Sequence, residues 1–392
     1  MNCFHKILLG LTLKQPHHKF IIQLFSTWLS IKGRVNFLQL GRFSKRSEKY
    51  YRRWFCRSFD WTGCNKALLQ NADIGKCVIA IDDVVWQKAG KRTFGLSNVY
   101  SGVMHKLIRG IDFFTLSIVS AEWKTAFHIN AVQIVNSTPV GNRASQQAQF
   151  LINQLPALRE LTKVVVGDGY FARKKYLDAV VSQDCTLISK LRQDAALFYL
   201  YKGVTKRGRP RKKDGRINWN DVSPMTYVGK QNDSDIYEAI AFNRKFKRNI
   251  KAVYIYDNKT KGYVILMCTD LEMPALDIIE YYRLRFQIEF IYRDAKQHTA
   301  LTTCQSTKQE AMHFHVNAAM TAINLAKVDL LKENDFNAEM VFSLSDYVQR
   351  KSNLLLAERI IGNLGFVLSK RKINAILKDS AEFGLIHLKN AS

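Results

Sequence analysis

Hydrophobic positions follow two different periods along the chain, and the change between them divides it into regions. In the first 72 residues, apolar side chains recur at helical spacing, most clearly over residues 20–29. From Lys76 onward the pattern changes to short apolar runs rich in Val and Ile, which are typical of buried strands. These patterns predict a helical N-terminal region over residues 1–72, followed by a domain built on a sheet.

Two of the apolar runs end in acidic residues. The run CVIAIDD (77–83) predicts a buried strand that ends in two carboxylates, and KVVVGDGY (163–170) predicts a second strand that stops at an Asp. Further elements are predicted as strands at 113–123 and 185–191 and as helices at 141–155 and 172–183. Because strands alternate with helices, the pattern indicates an α/β domain.

A basic segment and a second set of strands interrupt this order. Residues 201–216 (YKGVTKRGRPRKKDGR) carry a high density of Lys and Arg together with Gly and Pro, and they predict an exposed loop. Residues 227–267 resume strand-like runs with turn residues between them, which we interpret as a β-rich insertion. From there the chain is helical again, with helices predicted over 275–298 and 309–331 and in the tail.

Net charge points to the class of partner. The 392 residues contain 59 Lys and Arg against 33 Asp and Glu, a formal net charge of +26. Such an excess favours a polyanionic partner, with nucleic acid as the first candidate and an anionic membrane surface as the second. The apolar content of 47% excludes a disordered basic tail. A folded protein that handles nucleic acid is therefore expected.

The compartment is predicted from features that the sequence lacks. No apolar run reaches the roughly 18 residues of a transmembrane helix, and no secretory cleavage pattern follows the first residues. Seven scattered cysteines without a Cys-x-x-Cys pair argue against a disulfide framework or a structural zinc site. We expect a cytoplasmic protein that has no membrane partner.

Candidate chemistry is concentrated on the predicted helix 275–298. At about 100° per residue, Tyr282, Arg285, Glu289 and Lys296 fall within a sector of roughly 60°. The opposite face carries the apolar residues Leu284, Ile288, Ile291 and Ala295. An ordinary surface helix with an i,i+4 ion pair between Arg285 and Glu289 would explain part of this pattern. The two strands that end in Asp favour a functional interpretation.

Those two strands and the helix together supply three carboxylates that are predicted to lie at one site. A carboxylate at the end of a buried strand is costly unless a partner compensates for its burial, so an aspartate from the end of each strand and Glu289 from the helix are expected to converge. Hard oxygen ligands suit Mg²⁺, and two Mg²⁺ ions can stabilise the attacking and leaving oxygens of a phosphoryl transfer. The sequence therefore predicts a site for two Mg²⁺ ions, with Mn²⁺ as an alternative.

These residues also resemble a known family. The spacing Tyr282-x2-Arg285-x3-Glu289-x6-Lys296 is similar to the Y-x2-R-x3-E-x6-K signature of the IS-four family of insertion-sequence DDE transposases. The segments IDDVVWQKAGKRTFGL and VVVGDGYFARK resemble the regions of that family that carry its first and second catalytic Asp. Shorter segments look like family segments at 47–61, 187–197, 208–212 and 313–327. The resemblance covers nearly the whole chain from about residue 40.

The resemblance implies an architecture. It implies an RNase H-like core that is interrupted by a β-rich insertion and flanked by helical N- and C-terminal regions. The regions would be a DNA-binding region at 1–72, the first part of the core at 73–195, the insertion with its basic loop at 196–274, the catalytic helix and the following helix at 275–330, and a C-terminal helical region at 331–392.

The resemblance also implies a reaction and its partners. In a cut-and-paste reaction, activated water cleaves one strand at the element's end, the 3′-OH attacks the opposite strand to form a hairpin, and the freed end later joins target DNA. Asp82, Asp168 and Glu289 would hold the two metal ions. Tyr282 and Arg285 would contact phosphate near the hairpin, and Lys296 would bind backbone phosphate. The partners would be terminal inverted repeats and target DNA, synapsed by a homodimer.

Two other functions stay open, and so does the identity of the first catalytic aspartate. The chain is also compatible with a noncatalytic DNA-binding regulator derived from a transposase, or with an RNase H-like nuclease. The family usually has Thr or another small hydroxyl residue two places after its first Asp, whereas this chain has Val84. We favour Asp82, which shares a strand face with Ala80 and Val78, and Asp83 is the alternative.

Further candidates for DNA contact lie outside the polar face of helix 275–298, which we call the ladder (Tyr282, Arg285, Glu289 and Lys296). The segment with Arg207, Arg209 and Arg211 resembles an AT-hook that enters a narrow minor groove, or is a solvated basic loop. Trp219 and Tyr263 are the candidates for stacking on a flipped base. Three histidines at 298, 313 and 315 lack a third metal ligand at suitable spacing, so packing or surface roles are expected for them.

Cations alternate with aromatic side chains over residues 44–59 (SKRSEKYYRRWFCRSF). This segment predicts either a phosphate-contacting face with an apolar back or an ordinary amphipathic helix.

Overall fold

Helices build the N-terminal region, as the periodicity predicts. The computed structural model describes residues 2–11, 13–102, 104–135, 141–201, 203, 213–333, 342–363 and 369–386. The N-terminal helices are α1 (Asn2–Gly10), α2 (Gln15–Trp28), α3 (Phe37–Phe43), α4 (Glu48–Trp54) and α5 (Trp61–Gln70). The side chains of Asn36, Ser47 and Asp60 accept hydrogen bonds from backbone N–H groups of the first turns of α3, α4 and α5. The predicted basic–aromatic helix is therefore shorter than expected, since Ser47 starts α4.

One mixed sheet contains the strands of the described residues. The strands are β1 (Cys77–Gln87), β2 (Ser97–Ser101), β3 (Lys106–Ser120), β4 (Thr125–Ile134), β5 (Val164–Gly167), β6 (Thr186–Leu191), β7 (Leu197–Leu200), β8 (Lys213–Arg216), β9 (Thr226–Gln231), β10 (Ser234–Asn243), β11 (Arg248–Asp257) and β12 (Tyr263–Cys268). Their order is β2-β3-β1-β5-β6-β12-β11-β10-β7-β8, with β4 paired to β3 and β9 to β10.

Half of this sheet has an RNase H-like topology. Strands β4, β3 and β1 are antiparallel neighbours, and β1, β5 and β6 are parallel neighbours, which gives the order β4-β3-β1-β5-β6. Helix α6 (Arg143–Leu158) connects β4 to β5, and α7 (Lys174–Val181) makes the crossover between the parallel strands β5 and β6. The α/β prediction and the RNase H-like fold class are confirmed.

The first acidic strand is longer than its sequence pattern predicts. β1 continues beyond Asp83 to Gln87, so both aspartates lie within the strand and the predicted strand end was wrong. The reason is its long antiparallel partner, because β3 pairs with β1 up to Gln87, which lies opposite Gly110. β5, in contrast, stops at Gly167 as predicted, and Asp168 accepts a hydrogen bond from the N–H of Tyr170 in the next turn.

The β-rich insertion is continuous with the core sheet. β12 pairs with β6 of the core, and β11, β10 and β9 extend the sheet from there by antiparallel pairing. The predicted turn between β11 and β12 is present, with Asp257 accepting from the N–H of Lys259. Residues 213–216, predicted as loop, form β8, because Leu200 and Phe198 of β7 offer them an edge to pair with.

The second half of the chain ends in helices. They are α8 (Ala275–Leu284), α9 (Gln287–His298), α10 (Gln309–Glu333), α11 (Leu344–Asn363) and α12 (Lys370–Glu382). α10 is buried along most of its length against β4, α5 and α9. Within the part of the chain that the structure describes, no helix is both long and apolar enough to cross a bilayer.

The helix predicted over 275–298 is divided, so that prediction was wrong. At Arg285 and Phe286 the backbone N–H groups bond to carbonyls three residues back, as do those of Ile288 and Glu289. Such bonds tighten the chain to about three residues per turn, which changes the direction of the side chains that follow. Neither Gly nor Pro stands at the break, and for that reason the sequence pattern did not reveal it.

Candidate active site

Asp82 and Asp168 lie side by side at the centre of the sheet. Ile81 of β1 is opposite Gly167 of the parallel neighbour β5, and the next residue in each strand direction is an aspartate. Asp82 is largely buried, with 22% of its side chain exposed. Burial raises the pKa of Asp82 to about 7, and the nearby Asp168 carboxylate acts in the same direction. The two adjacent carboxylates therefore form a site that favours a compensating cation.

Arg285 connects Asp82 to Glu289. Its Nη1 lies 3.6 Å from Oδ2 of Asp82, and its Nη2 lies 3.4 Å from Oε1 of Glu289. Arg285 stands at the break between α8 and α9, so the tightened turn brings its guanidinium over the strand. The structure thus brings Asp82, Arg285 and Glu289 into one contact chain, with Asp168 beside Asp82.

The other two ladder residues flank this chain of contacts. Tyr282 precedes Arg285 by one turn on α8 and is half-buried, and burial raises the pKa of its hydroxyl. Lys296 lies two turns beyond Glu289 on α9 and is exposed. Ile288, Ile291 and Ala295 are buried on the core side of α9, as the helical pattern predicts.

Asp83 has a different environment on the opposite face of β1. Its Oδ2 lies 2.7 Å from Nη2 of Arg143, and its Oδ1 accepts a hydrogen bond of 2.6 Å from Nε2 of Gln147. Arg143 also contacts the buried carboxylate of Asp112. Asp83 therefore already has a cation and an amide partner from helix α6, whereas Asp82 faces α9.

The donor set suits a hard divalent cation, although the described residues do not enclose one. Asp82 and Asp168 provide adjacent carboxylate oxygens, which Mg²⁺ prefers, and Glu289 is reached through Arg285. Among the residues that the structure describes, no group of three His, Cys, Asp or Glu side chains is close enough together to hold a metal ion. The positive charge between Asp82 and Glu289 is the guanidinium of Arg285.

Comparison with known proteins identifies the family. Residues 75–325 match the family model described as "Transposase DDE domain". The chain belongs to the DDE transposases. No curated protein matches the chain.

Two solved structures are similar to the transposase at low sequence identity. The piggyBac transposase, in a synaptic complex with hairpin DNA, is 11% identical with a TM-score of 0.46 and covers 98% of this chain and 82% of that one. The NurA nuclease from Sulfolobus solfataricus is 11% identical with a TM-score of 0.25 and covers 68% and 86%.

A groove opens next to Asp168 on the surface of the transposase. It has a volume of about 750 Å³ and runs between the turn after β5 and strands β6 and β12. Exposed Arg173, Lys190 and Arg192 line it, together with the half-buried rings of Tyr170 and Tyr263. Arg173 lies over the ring of Tyr170, at 4.1 Å from its centroid. The groove thus combines cations with aromatic faces beside the carboxylates.

The structure separates the two aromatic candidates for base stacking. Trp219 is buried and stacks on Tyr254 with a centroid distance of 5.6 Å, so its ring face is already covered. Tyr263 lines the groove and is half-buried. Arg207, Arg209 and Arg211 lie outside the described residues.

The histidines of α10 have packing contacts. His315 is buried, and its Nε2 lies 2.8 Å from the carbonyl oxygen of Ala300. His313 approaches the amide of Asn317, and burial lowers its pKa.

Sequence reasoning missed four residues around the aspartates of the transposase: Thr115, Arg143, Gln147 and Tyr292. The only signal for Thr115 was a hydroxyl residue within the apolar run of β3, which also contains Ser117 and Ser120. Arg143 and Gln147 are spaced one helical turn apart on a predicted helix, which by itself is ordinary for an exposed face. Their roles depend on contacts between residues far apart in sequence.

Proposed function

We propose that this chain is a DNA transposase of the IS-four type, which cuts and joins DNA by metal-dependent phosphoryl transfer. The observation that carries the proposal is the pair of adjacent carboxylates, Asp82 and Asp168, with Glu289 connected to Asp82 through Arg285. A pair of adjacent carboxylates in a chain of net charge +26 suits a protein whose cations hold DNA and whose carboxylates hold metal ions. Membership of the DDE transposases supports the same reaction class.

The three carboxylates have the central roles in this proposal. Asp82, Asp168 and Glu289 would hold two Mg²⁺ ions, or Mn²⁺ ions. When bound, such ions make water or a 3′-OH a better nucleophile and neutralise the charge that develops on the scissile phosphate. Asp82 is preferred over Asp83 because Arg285 connects Asp82 to Glu289, whereas the partners of Asp83, Arg143 and Gln147, come from α6.

The ladder residues would act on DNA. Arg285 contacts two carboxylates in the protein alone, so phosphate or metal would replace one or both of these contacts when DNA is held. Tyr282 and Arg285 would contact phosphate near the hairpin end, and Lys296 would bind backbone phosphate from its exposed position on α9. Arg207, Arg209 and Arg211 of the basic loop would add contacts to DNA.

Double-stranded DNA would be bound by two copies of the chain. Terminal inverted repeats and target DNA are the proposed partners, and a homodimer would bring two ends together in cut-and-paste transposition, with a hairpin intermediate. The basic N-terminal helices and the groove beside Asp168 are the proposed contact surfaces, since both combine cations with aromatic side chains.

An excision assay tests the proposal. The full-length protein is incubated with Mg²⁺ and a supercoiled plasmid that carries its gene together with the native flanking DNA. We expect double-strand breaks at both ends of the element and hairpin ends on the excised fragment, and no cleavage in EDTA. Cleavage without any joined or hairpin product would instead indicate an RNase H-like nuclease, and DNA binding without cleavage would indicate a regulator.

The groove yields a separate prediction about DNA binding. Lys190→Ala removes an exposed cation that lines the groove beside Asp168. We expect weaker binding to the flanking DNA and a plot of log affinity against log salt that is less steep by about one unit, the change for one lost phosphate contact. Fluorescence anisotropy at several salt concentrations measures both quantities.

The matched control is Lys163→Ala. Lys163 pairs with Asp184 and directly precedes β5, whereas Asp168 directly follows it. The two residues therefore lie at opposite ends of the strand. An equal loss of salt dependence in both variants would show that the groove has no special part in DNA binding.

A further inference from the structure

The position of Glu289 depends on how α9 is held. The tightened turn at Arg285 and Phe286 separates α9 from α8, and Glu289 stands in the first turn of α9 with its side chain exposed. Helix α9 begins without a side-chain cap at Phe286. Its register against the sheet is therefore fixed by contacts further along the helix.

One polar contact connects α9 to the strand pair that carries Asp82. Tyr292 follows Glu289 by one turn, and its side chain is buried under the sheet. Its hydroxyl makes a short contact with the Thr115 hydroxyl on β3. Thr115 is fully buried and lies directly opposite Asp82 in the β1–β3 pairing, and its Oγ1 is 3.0 Å from the carbonyl oxygen of Asp82.

The chemistry of the three groups determines the direction of these hydrogen bonds. The carbonyl oxygen of Asp82 only accepts, so the single hydroxyl proton of Thr115 is donated to it. Oγ1 of Thr115 then accepts from the hydroxyl of Tyr292. Burial raises the pKa of Tyr292 well above its usual value, so this hydroxyl keeps its proton and donates. The result is one directed chain from Tyr292 through Thr115 to the backbone of Asp82.

We propose that Tyr292 and Thr115 are positioning residues that hold Glu289 at a fixed place relative to Asp82 and thereby set the affinity of the site for divalent cations. This inference rests on the proposed function. The hydrogen-bond chain joins the backbone of Asp82 to the turn of α9 that follows Glu289. Because a hydrogen bond is directional whereas apolar packing tolerates sliding, the chain fixes the register of α9 more tightly than Ile288 and Ile291 do alone.

The test removes one hydroxyl at a time from the full-length protein. Tyr292→Phe keeps the buried ring, Thr115→Val keeps the branched shape, and the double variant removes both hydroxyls. The first measurement is Mn²⁺ binding to the protein by electron paramagnetic resonance. The second is the Mg²⁺ concentration that gives half-maximal cleavage of the plasmid with native flanks. DNA affinity in Ca²⁺ and the thermal unfolding midpoint are recorded in parallel.

We expect Tyr292→Phe to weaken Mn²⁺ binding and to raise the half-maximal Mg²⁺ concentration, each by roughly 10- to 100-fold, the usual range for outer partners of metal ligands. Because the two hydroxyls act through one chain, the double variant is expected to lose little more than either single variant. Thr115→Ser retains the hydroxyl and is expected to bind metal like the wild type. This variant keeps the test informative even if Thr115→Val folds poorly. DNA affinity in Ca²⁺ is expected to stay unchanged.

Tyr347→Phe is the matched control. Tyr347 is also a buried tyrosine with a hydrogen-bonded hydroxyl, 2.8 Å from Asp329, but it lies on α11 and its hydroxyl is not part of the chain from Tyr292 to Asp82. We expect this variant to bind Mn²⁺ like the wild type.

The outcomes distinguish failure of this inference from failure of the proposed function. If the wild type cleaves DNA and Tyr292→Phe has the same Mg²⁺ and Mn²⁺ dependence as the wild type, the positioning role is overturned and the transposase proposal stays intact. A wild type that binds Mn²⁺ but never cleaves DNA, with weaker Mn²⁺ binding in Tyr292→Phe, would support the positioning role and refute the transposase proposal. Unchanged Mn²⁺ binding in every variant would overturn the positioning role in either case.

Discussion

Glu289→Ala is expected to abolish strand cleavage by the full-length protein while leaving its binding to the flanking DNA intact. Glu289 is exposed, and among the described residues its carboxylate forms an ion pair with Arg285, so its loss removes no buried core residue. Under the proposed function it removes one of the three carboxylates that hold the metal ions. A fall of at least roughly 1,000-fold in rate is expected, which corresponds to about 4 kcal/mol of transition-state stabilisation.

A gel assay for nicked and linear plasmid measures the cleavage, and a mobility-shift assay in Ca²⁺ measures the binding. The matched control is Glu310→Ala, because Glu310 is an exposed carboxylate in the first turn of another helix, α10. This control is expected to cleave like the wild type. Undiminished nicking by Glu289→Ala would refute the assignment of Glu289 to the active site.

Asp82→Asn is expected to stabilise the metal-free protein against unfolding at pH 8. Burial raises the pKa of Asp82 to about 7 from an ordinary value of 3.8, so the folded state disfavours its ionised form. A carboxyl group with a raised folded-state pKa contributes stability below pH 4 that is lost as the pH rises towards 7. Removal of the charge at pH 8 recovers at most about 4 kcal/mol, since each pKa unit corresponds to about 1.4 kcal/mol.

Urea unfolding in EDTA measures the free energy of unfolding at pH 8 and at pH 4. The gain from Asp82→Asn is expected at pH 8 and is expected to vanish near pH 4, where the wild-type carboxyl is also neutral. A variant that is less stable than the wild type at pH 8 would show that Asp82 is held by favourable contacts. Such a result would contradict a site in which Arg285 compensates only in part for the buried charge of Asp82.

The comparison variant is Arg143→Met, which acts on the neighbouring aspartate. Arg143 pairs with Asp83 and Asp112, and its loss leaves both carboxylates buried without a cation. We expect a loss of roughly 2–4 kcal/mol at pH 8, below the full value of a buried pair because Arg143 is about one-third exposed. The opposite signs of the two variants would show that burial destabilises the ionised form of Asp82 despite Arg285, whereas Asp83 and Asp112 depend on the cation of Arg143.

The sequence predicted the order of the elements well because that order depends on local pattern. Short continuous apolar runs marked the strands that lead to Asp82 and Asp168, and helical spacing marked the buried face of Ile288, Ile291 and Ala295. Element ends were predicted less well. β1 passes Asp83 because β3 offers it a long partner, and a partner strand is not visible in the run of residues 77–83.

The choice between Asp82 and Asp83 also depends on partners that the local sequence does not reveal. The strand period requires the two side chains to lie on opposite faces of the sheet. It does not say which face is covered by α9 and which by α6. Only the packing of the helices revealed that Asp83 meets Arg143, whereas Asp82 meets Arg285.

The sequence by itself determined the α/β pattern and the basic character of the chain, which follow from composition and from periods of a few residues. The resemblance to the IS-four family added the residues that are proposed to carry the chemistry. The tertiary structure decided which residues meet: Arg285 turns onto Asp82 at a break without Gly or Pro, and Tyr292 reaches Thr115 across 177 residues of sequence. The physical reason is that hydrogen bonds and ion pairs at the site join distant segments, and their geometry is fixed only when the helices pack on the sheet.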